Sequence, residues 1–223
     1  MLQRWRSLTF LHWRYEAAAI RKLLPQHLTL DTWDGAAWIG LTPFFLSDLR
    51  PPPQPPLPWL SHFPETNVRT YVRGPDGERG VWFFTLEAGR LAAVLGARTA
   101  YRLPYRWARM RVRHTGSHVE YRSARKWPFG NAQTRIVCQP GEPMSLGDFD
   151  NFLTARFRLY TLFGKRLAFA QIEHEPWPLH TARILELEQN LIERSGVPPA
   201  SGEPIVHHSP DLRVRIGRPQ LSR

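Results

Sequence analysis

Between Trp107 and Arg113 every second residue changes character: Ala108, Met110 and Val112 fall on one side of an extended chain, and Arg109, Arg111 and Arg113 on the other. A helix would scatter those apolar residues, so the run is a strand with one covered face. HTGSH turns the chain and VEYRSAR returns it as a partner. Upstream, FPETNVRTYV and ERGVWFFTLEA flank the turn RGPDG. LTLDTW and AAWIGL flank Asp34-Gly35, a pair suited to the positive dihedrals of a type I′ turn. RLAFAQIE and DLRVRI add further strands, so hairpins dominate the chain.

Helical patterns are fewer. YEAAAIRKLL reads as a helix stopped by Pro25, GRLAAVLGARTAY has apolar residues at helical spacing, and ARILELEQNLIERSG reads as an amphipathic helix ending at Gly196. The strongest is SLGDFDNFLTARFRLYTLFGK, with Ser145 and Asp148 as a capping box and Gly164 as its stop. Hairpins with scattered helices predict an α+β fold built on a strongly curved antiparallel β-sheet. With nine Trp, twelve Phe and six Tyr in 223 residues, the chain suits a single domain, 1–223, around a sizeable core. RPPPQPPLPWL, residues 50–60, is too rich in proline for sheet or helix and reads as a surface loop at the rim of the fold.

The formal net charge of +11 comes almost wholly from arginine, since Lys22, Lys126 and Lys165 are the only lysines. Arginine suits bidentate recognition of carboxylate or phosphate. The single cysteine, Cys138, excludes an intramolecular disulfide and a cysteine zinc cluster. His174, Glu175, His207 and His208 complete no metal motif, and there is no glycine-rich phosphate loop or nucleophile elbow, so neither a metal nor a cofactor is expected. No segment has membrane-spanning length and the N-terminus lacks the apolar run of a signal peptide; the expectation is a cytoplasmic protein without a membrane partner.

Charges that share a face with apolar residues are the candidate site. In the strand over 65–72, Glu65, Asn67, Arg69 and Tyr71 lie on one side and Val68, Thr70 and Val72 on the other. If the sheet curls, that polar row lines its cavity. Parity puts Arg106 with Ala108, Met110 and Val112, and Arg125 with Val119 and Tyr121; in the capped helix, Arg156 falls in line with Phe149, Phe152, Leu153 and Tyr160. A buried arginine is costly unless paired, so each wants a carboxylate or an anionic ligand, and Glu65 is the first internal candidate. His12, among the aromatics of FLHWRY, reads as a core histidine.

FLHWRYEAAAIRKLLPQHLTLDTWDGAAWIGLTPF, FPETNVRTYVRG, GVWFFTLEA, ARTAYRLPYRWARM and HEPWPL, in this order along nearly the whole chain, resemble the YqjF-like family of unknown function. That family is similar to the acetoacetate decarboxylase-like superfamily, which implies a cone or open barrel around a central cavity with helices outside. In the decarboxylases a Gly-Arg-Glu stretch leads into a Pro-Lys-Lys motif whose first lysine forms a Schiff base, while the second lowers its pKa. The matching segment here is Ala97-Arg98-Thr99 leading into Pro104-Tyr105-Arg106. A phenol cannot make an imine, so the resemblance implies the motif without its covalent chemistry.

Glu65 matches the decarboxylases' active-site glutamate in its distance upstream. The resemblance thus implies one cavity ringed by Glu65, Asn67, Arg69, Arg98, Tyr101, Tyr105 and Arg106, taking a small anionic or carbonyl-bearing molecule. Glu65 would act as acid or base, Tyr105 as hydrogen-bond donor, and Arg106 and Arg125 as oxyanion stabilisers, with Arg156 a further ligand-binding residue. Whether a reaction follows binding stays open, as does a homo-oligomer, since the decarboxylases form large ones. Two alternatives remain: nucleic-acid binding through an exposed stripe of Arg109, Arg111, Arg113 and Arg122, and a decarboxylase recruiting Lys126.

Overall fold

The structure is a computed structural model that describes residues 1–128 and 130–222. The chain opens with β1 (Leu2–Glu16), turns through α1 (Ala17–Arg21) and β2 (Thr29–Leu30), and returns as β3 (Ala36–Arg50). After the proline-rich segment come β4 (Phe63–Arg73), β5 (Arg79–Ala88), α2 (Leu91–Ala100), β6 (Tyr105–Thr115), β7 (His118–Trp127) and β8 (Gln133–Pro143). The last third holds α3 (Asp148–Thr154), β9 (Arg158–Phe163), β10 (Arg166–His174), β11 (His180–Gln189), α4 (Leu191–Arg194), β12 (Ile205–Ile216) and β13 (Gln220–Leu221).

All strands join one sheet in the order β13-β10-β9-β5-β6-β7-β8-β11-β12-β1-β3-β4-β2, and the extra pairings β4–β5 and β10–β12 close it. The expected curved sheet is therefore a closed barrel, mostly antiparallel, with β5 parallel to both β6 and β9. Closure happens twice. The run β5-β4-β3-β1-β12 is completed on one side by β6, β7, β8 and β11, and on the other by β9 and β10.

The shared strands are consequently covered on both faces. Trp38, Phe44, Phe63 and Tyr71 pack with Leu159 and Ile172 of β9 and β10, whereas Ile39, Leu41 and Val68 pack with Tyr121, Ile136 and Cys138 of β7 and β8. This is why nearly every residue of β3 and β4 is buried, with no alternation between covered and wet. The row Glu65, Asn67, Arg69 and Tyr71 shares a face with Phe63 and lies against the first of these cores.

Two predicted helices are mostly strand. In the 145–164 segment only Asp148–Thr154 is helical, entered by the Gly147 N–H donating to Asp150 Oδ2 at 2.9 Å. Arg158–Phe163 instead fills the gap between β5 and β10, burying Leu159 and Tyr160, and Gly164 (φ 64°) makes the β9–β10 turn. A strand slot with open hydrogen bonds on both edges outweighs helix propensity. In 182–196 only Leu191–Arg194 is helical. β11 pairs with β8 and carries a bulge between Ile184 and Glu186, so Ala182, Ile184 and Leu187 all reach the core while Leu185 stays exposed. The bulge turns a two-residue step into a three-residue one, the spacing that imitates a helix. The helix ahead of Pro25 is confined to Ala17–Arg21. Asp34 and Gly35 both take positive φ, as the type I′ turn requires, yet they close only a Trp33–Ala36 bridge, because β2 pairs with β4.

Arg156 therefore lies beyond α3, outside any helix. It is 4% exposed, its Nη1 donates to Asp31 Oδ2 at 2.7 Å, and its Nη2 donates to the Phe152 carbonyl at 2.5 Å. Asp31, equally buried, also receives Arg73 Nε at 2.9 Å and Arg79 Nε at 3.2 Å. One carboxylate thus holds three guanidiniums from distant parts of the chain. Asp31→Asn should cost roughly 3–5 kcal/mol in urea unfolding, since it strands a buried charge, and Arg156→Met should cost less.

Candidate functional site

The alternation of β4 aims Glu65, Asn67 and Arg69 to one side, and all three are buried. Opposite them, the crossover β5-α2-β6 brings the chain back parallel to β5. Arg102, in the left-handed region at φ 54°, and Pro104 sharpen the entry, and Tyr105 pairs with Leu86. Its phenol donates to Glu65 Oε2 at 2.9 Å. Burial pushes the Glu65 carboxyl up to about 8, with the Tyr105 hydrogen bond opposing more weakly. Burial, then the Glu65 charge, drives the Tyr105 phenol well above its ordinary value. Glu65 is thus largely a neutral acid at pH 7.

These groups line an inner cavity of about 70 Å³, together with Gln3, Trp5 and Thr42. Its polar wall is under-bonded. Among the described residues, Asn67 Oδ1, Thr42 Oγ1, Trp5 Nε1 and Arg69 Nε and Nη2 are buried without a hydrogen-bond partner in the protein. Arg69, 6% exposed, stacks on Phe10 at 5.1 Å but has no carboxylate within 4.0 Å. The inner cavity adjoins an outer one of about 540 Å³, which lies under the 50–60 segment and against α2. Tyr105, Leu103, Leu46 and Ile216 border both, so Tyr105 stands at the junction.

The structure divides the set expected around one cavity. Glu65, Asn67, Arg69 and Tyr105 line the inner cavity, and Tyr101 lines the outer one, its hydroxyl donating to the Gly217 carbonyl at 3.0 Å. Arg98 lies behind, donating to the Tyr105 carbonyl at 2.8 Å and stacking on Trp127. Arg106 and Arg125 are on the other face of the wall, because residues adjacent in a strand point to opposite sides. There Arg125 forms a buried pair with Glu87 (2.6 Å), which also accepts from Thr85 Oγ1 at 3.1 Å. Half-buried Arg106 is in register with Glu87, and burial followed by the charges of Arg98 and Arg125 lowers its pKa. Sequence reasoning missed Glu87 and Asp31, which take the arginines; a carboxylate inside the apolar run FFTLEA was the available signal.

The other candidates lie apart from the cavity. Lys126 Nζ sits over the Trp107 ring at 4.9 Å, Lys22 and Lys165 are exposed, and none of the three borders either cavity. Arg109, Arg111, Arg113 and Arg122 are exposed, with Arg122 paired to Glu120 at 2.7 Å. His12 is a neutral core residue, Nε2 2.6 Å from Tyr71 Oη, its pKa held well down by burial. His207 bonds Asp150 and His208 bonds Thr9; among the described residues no three His, Cys, Asp or Glu side chains gather as metal ligands. No helix among the described residues is long and apolar enough to cross a membrane.

The model of DUF2071, a family described as an uncharacterized conserved protein, matches residues 2–213. The chain belongs to this family. The uncharacterized protein YqjF of Bacillus subtilis is 37% identical over 214 residues, covering 94% of this chain and 87% of the relative. Among solved structures, the acetoacetate decarboxylase of Legionella pneumophila superimposes with a TM-score of 0.63 at 13% identity, covering 99% of this chain and 87% of its own. The enduracididine biosynthesis enzyme MppR complexed with pyruvate gives 0.66 at 10% identity, covering 99% and 89%. An acetoacetate decarboxylase-like enzyme of Sphingomonas wittichii gives 0.63 at 13%, covering 100% and 92%. The DUF2071 chain thus has the acetoacetate decarboxylase-like fold; at these identities the likeness is one of fold.

The folded state binds the Glu65 proton more tightly than the unfolded chain does. Its ionisation cost is absent below the unfolded value near 4.5 and grows as pH rises, becoming complete above about 8. Glu65→Gln removes that cost, so its melting temperature should exceed the wild-type value increasingly between about pH 5 and about pH 9, as the difference in stability approaches roughly 3–5 kcal/mol. A constant difference across that range would show that Glu65 titrates normally.

Proposed function

We propose that this protein binds a small organic carboxylate bearing a carbonyl group in the inner cavity, and that Glu65 and Tyr105 act on it by non-covalent acid–base chemistry. The observation that carries the reading is Arg69. Buried arginines elsewhere in the barrel have carboxylates, Arg156 with Asp31 and Arg125 with Glu87, whereas Arg69 has none within 4.0 Å and presents two nitrogens, Nε and Nη2, without a hydrogen-bond partner. Desolvating a guanidinium is worthwhile when a ligand carboxylate supplies the missing bidentate partner. The MppR structure with pyruvate supports a keto acid as the chemical class, because it has the same fold.

The chemistry follows from the carboxyl beside the phenol. An acid with a pKa of about 8 exists in both forms near neutrality, which suits a group that accepts and returns a proton. In an enolisation, the Glu65 carboxylate takes the proton from the carbon next to the carbonyl, and the electron pair moves to the carbonyl oxygen. The Asn67 amide and Arg69 hold that oxygen and the carboxylate. An imine route lacks its amine, since no lysine borders the cavity.

Thermal-shift measurements with pyruvate, acetoacetate, acetaldehyde and inorganic phosphate test the reading. Ligand at a hundred times its Kd adds about 2.7 kcal/mol, a shift of several degrees. Pyruvate or acetoacetate should stabilise the wild type, and Arg69→Met should abolish that gain while leaving the free protein at least as stable. Retained stabilisation in Arg69→Met would remove the carboxylate anchor. A borohydride-trapped keto-acid adduct on Lys126 would replace the non-covalent route.

A further inference from the structure

Resting on that reading, we infer that the ligand also carries an aliphatic chain, and that the outer cavity holds it: the substrate class is a keto acid with a straight aliphatic chain, of which pyruvate supplies only the head. Ligand sites commonly enclose about 300–1,000 Å³. The inner cavity, at about 70 Å³, accommodates only a head group, whereas the outer one, at about 540 Å³, falls within the range and shares its border with the inner one. A molecule whose head reaches Arg69 must pass Tyr105 and leave its remainder in the outer cavity.

The lining decides the chemistry of that remainder. In a chain with 30 Lys and Arg and 19 acidic residues, no charged side chain among the described residues borders the outer cavity, and the Met1 ammonium at its wall donates to the Ile216 carbonyl at 2.6 Å. Leu46, Leu49, Leu60 and Phe63 form its floor and sides. Helix α2 turns Ala93, Gly96, Ala97 and Ala100 toward it; Gly96 and Ala100 are exposed, and a Cβ added at Gly96 would meet nothing within 4 Å, so these small side chains leave the cavity open to solvent along the helix. The 50–60 segment roofs it and is tied down. Ser61 Oγ accepts from Leu57 N–H at 2.8 Å and donates to the Leu49 carbonyl at 2.6 Å, and Arg90 stacks on Trp59 at 4.5 Å. An apolar cleft adjoining an unpaired guanidinium and a neutral carboxyl is complementary to an amphiphile with one acidic end.

Calorimetry with acetate, butanoate, hexanoate, octanoate and dodecanoate reads this directly. Each added methylene should tighten binding about fourfold from butanoate until the cavity is filled. Gly96→Trp, which puts a bulky ring at the exposed mouth of the cavity, should flatten the series while leaving acetate affinity and the circular dichroism spectrum unchanged. Arg69→Met should weaken every acid by the same factor. Acids that bind the wild type with no dependence on length, or octanoate binding unaltered by Gly96→Trp, would overturn the tail site and leave the head-group reading intact. If no acid of any length binds, the tail site falls, and the head-group reading falls with it if pyruvate and acetoacetate also fail to bind. A dimer by light scattering that Gly96→Trp dissociates, with a flat series, would give the cavity to a second copy of the chain and overturn the inference.

Discussion

A wall of strands covered on both faces leaves a charged side chain no route to water, and the rest of this structure follows from how its charges are accommodated. β3 and β4 lie between two apolar cores, so polar residues on either face enter an environment of low dielectric. Arg156 meets Asp31, and Arg125 meets Glu87. Arg69 meets an aromatic ring and a cavity. The two pairs tie distant segments of the chain together; the third group is left with bonding capacity that the fold does not use.

The same double covering explains the division of the candidate site. Tyr105 and Arg106 are neighbours in a strand, so they point to opposite sides of the wall, Tyr105 into the inner cavity and Arg106 toward Glu87. Glu65 accordingly has a phenol beside it and no cation, and loss of solvent dominates its proton affinity. Arg106 joins a cluster of charge around Glu87 on the far side. A carboxyl desolvated without a counter-charge holds its proton near neutral pH, which makes it useful as an acid or base where a paired carboxylate would not be.

Much of the barrel was legible in the sequence where the two-residue period was clean. β4, β5, β6 and β7 and their turns lie where alternation and the turn residues indicated, and the polar row of β4 shares one face as parity required. Legibility failed where one pattern serves two periods. Leu159 to Phe163 suits a helix face or a strand, and the vacancy between β5 and β10 decided between them. The bulge in β11 gave Ile184 and Leu187 a helical spacing inside a strand. Asp31 and Glu87 could not be identified as partners, because ion pairs joining the segment after β2 to the segment after α3, or β5 to β7, depend on closure rather than on any local pattern.

The sequence by itself determined most of the hairpins and the shared face of Glu65, Asn67 and Arg69, since these depend only on residue type and on the period of an extended chain. Tertiary structure alone decided which arginines find carboxylates, which side of the wall Arg106 occupies, and that an apolar chamber lies outside Tyr105. Those outcomes arise from closing the sheet twice around one shared wall, and closure brings together residues whose separation along the chain carries no signal.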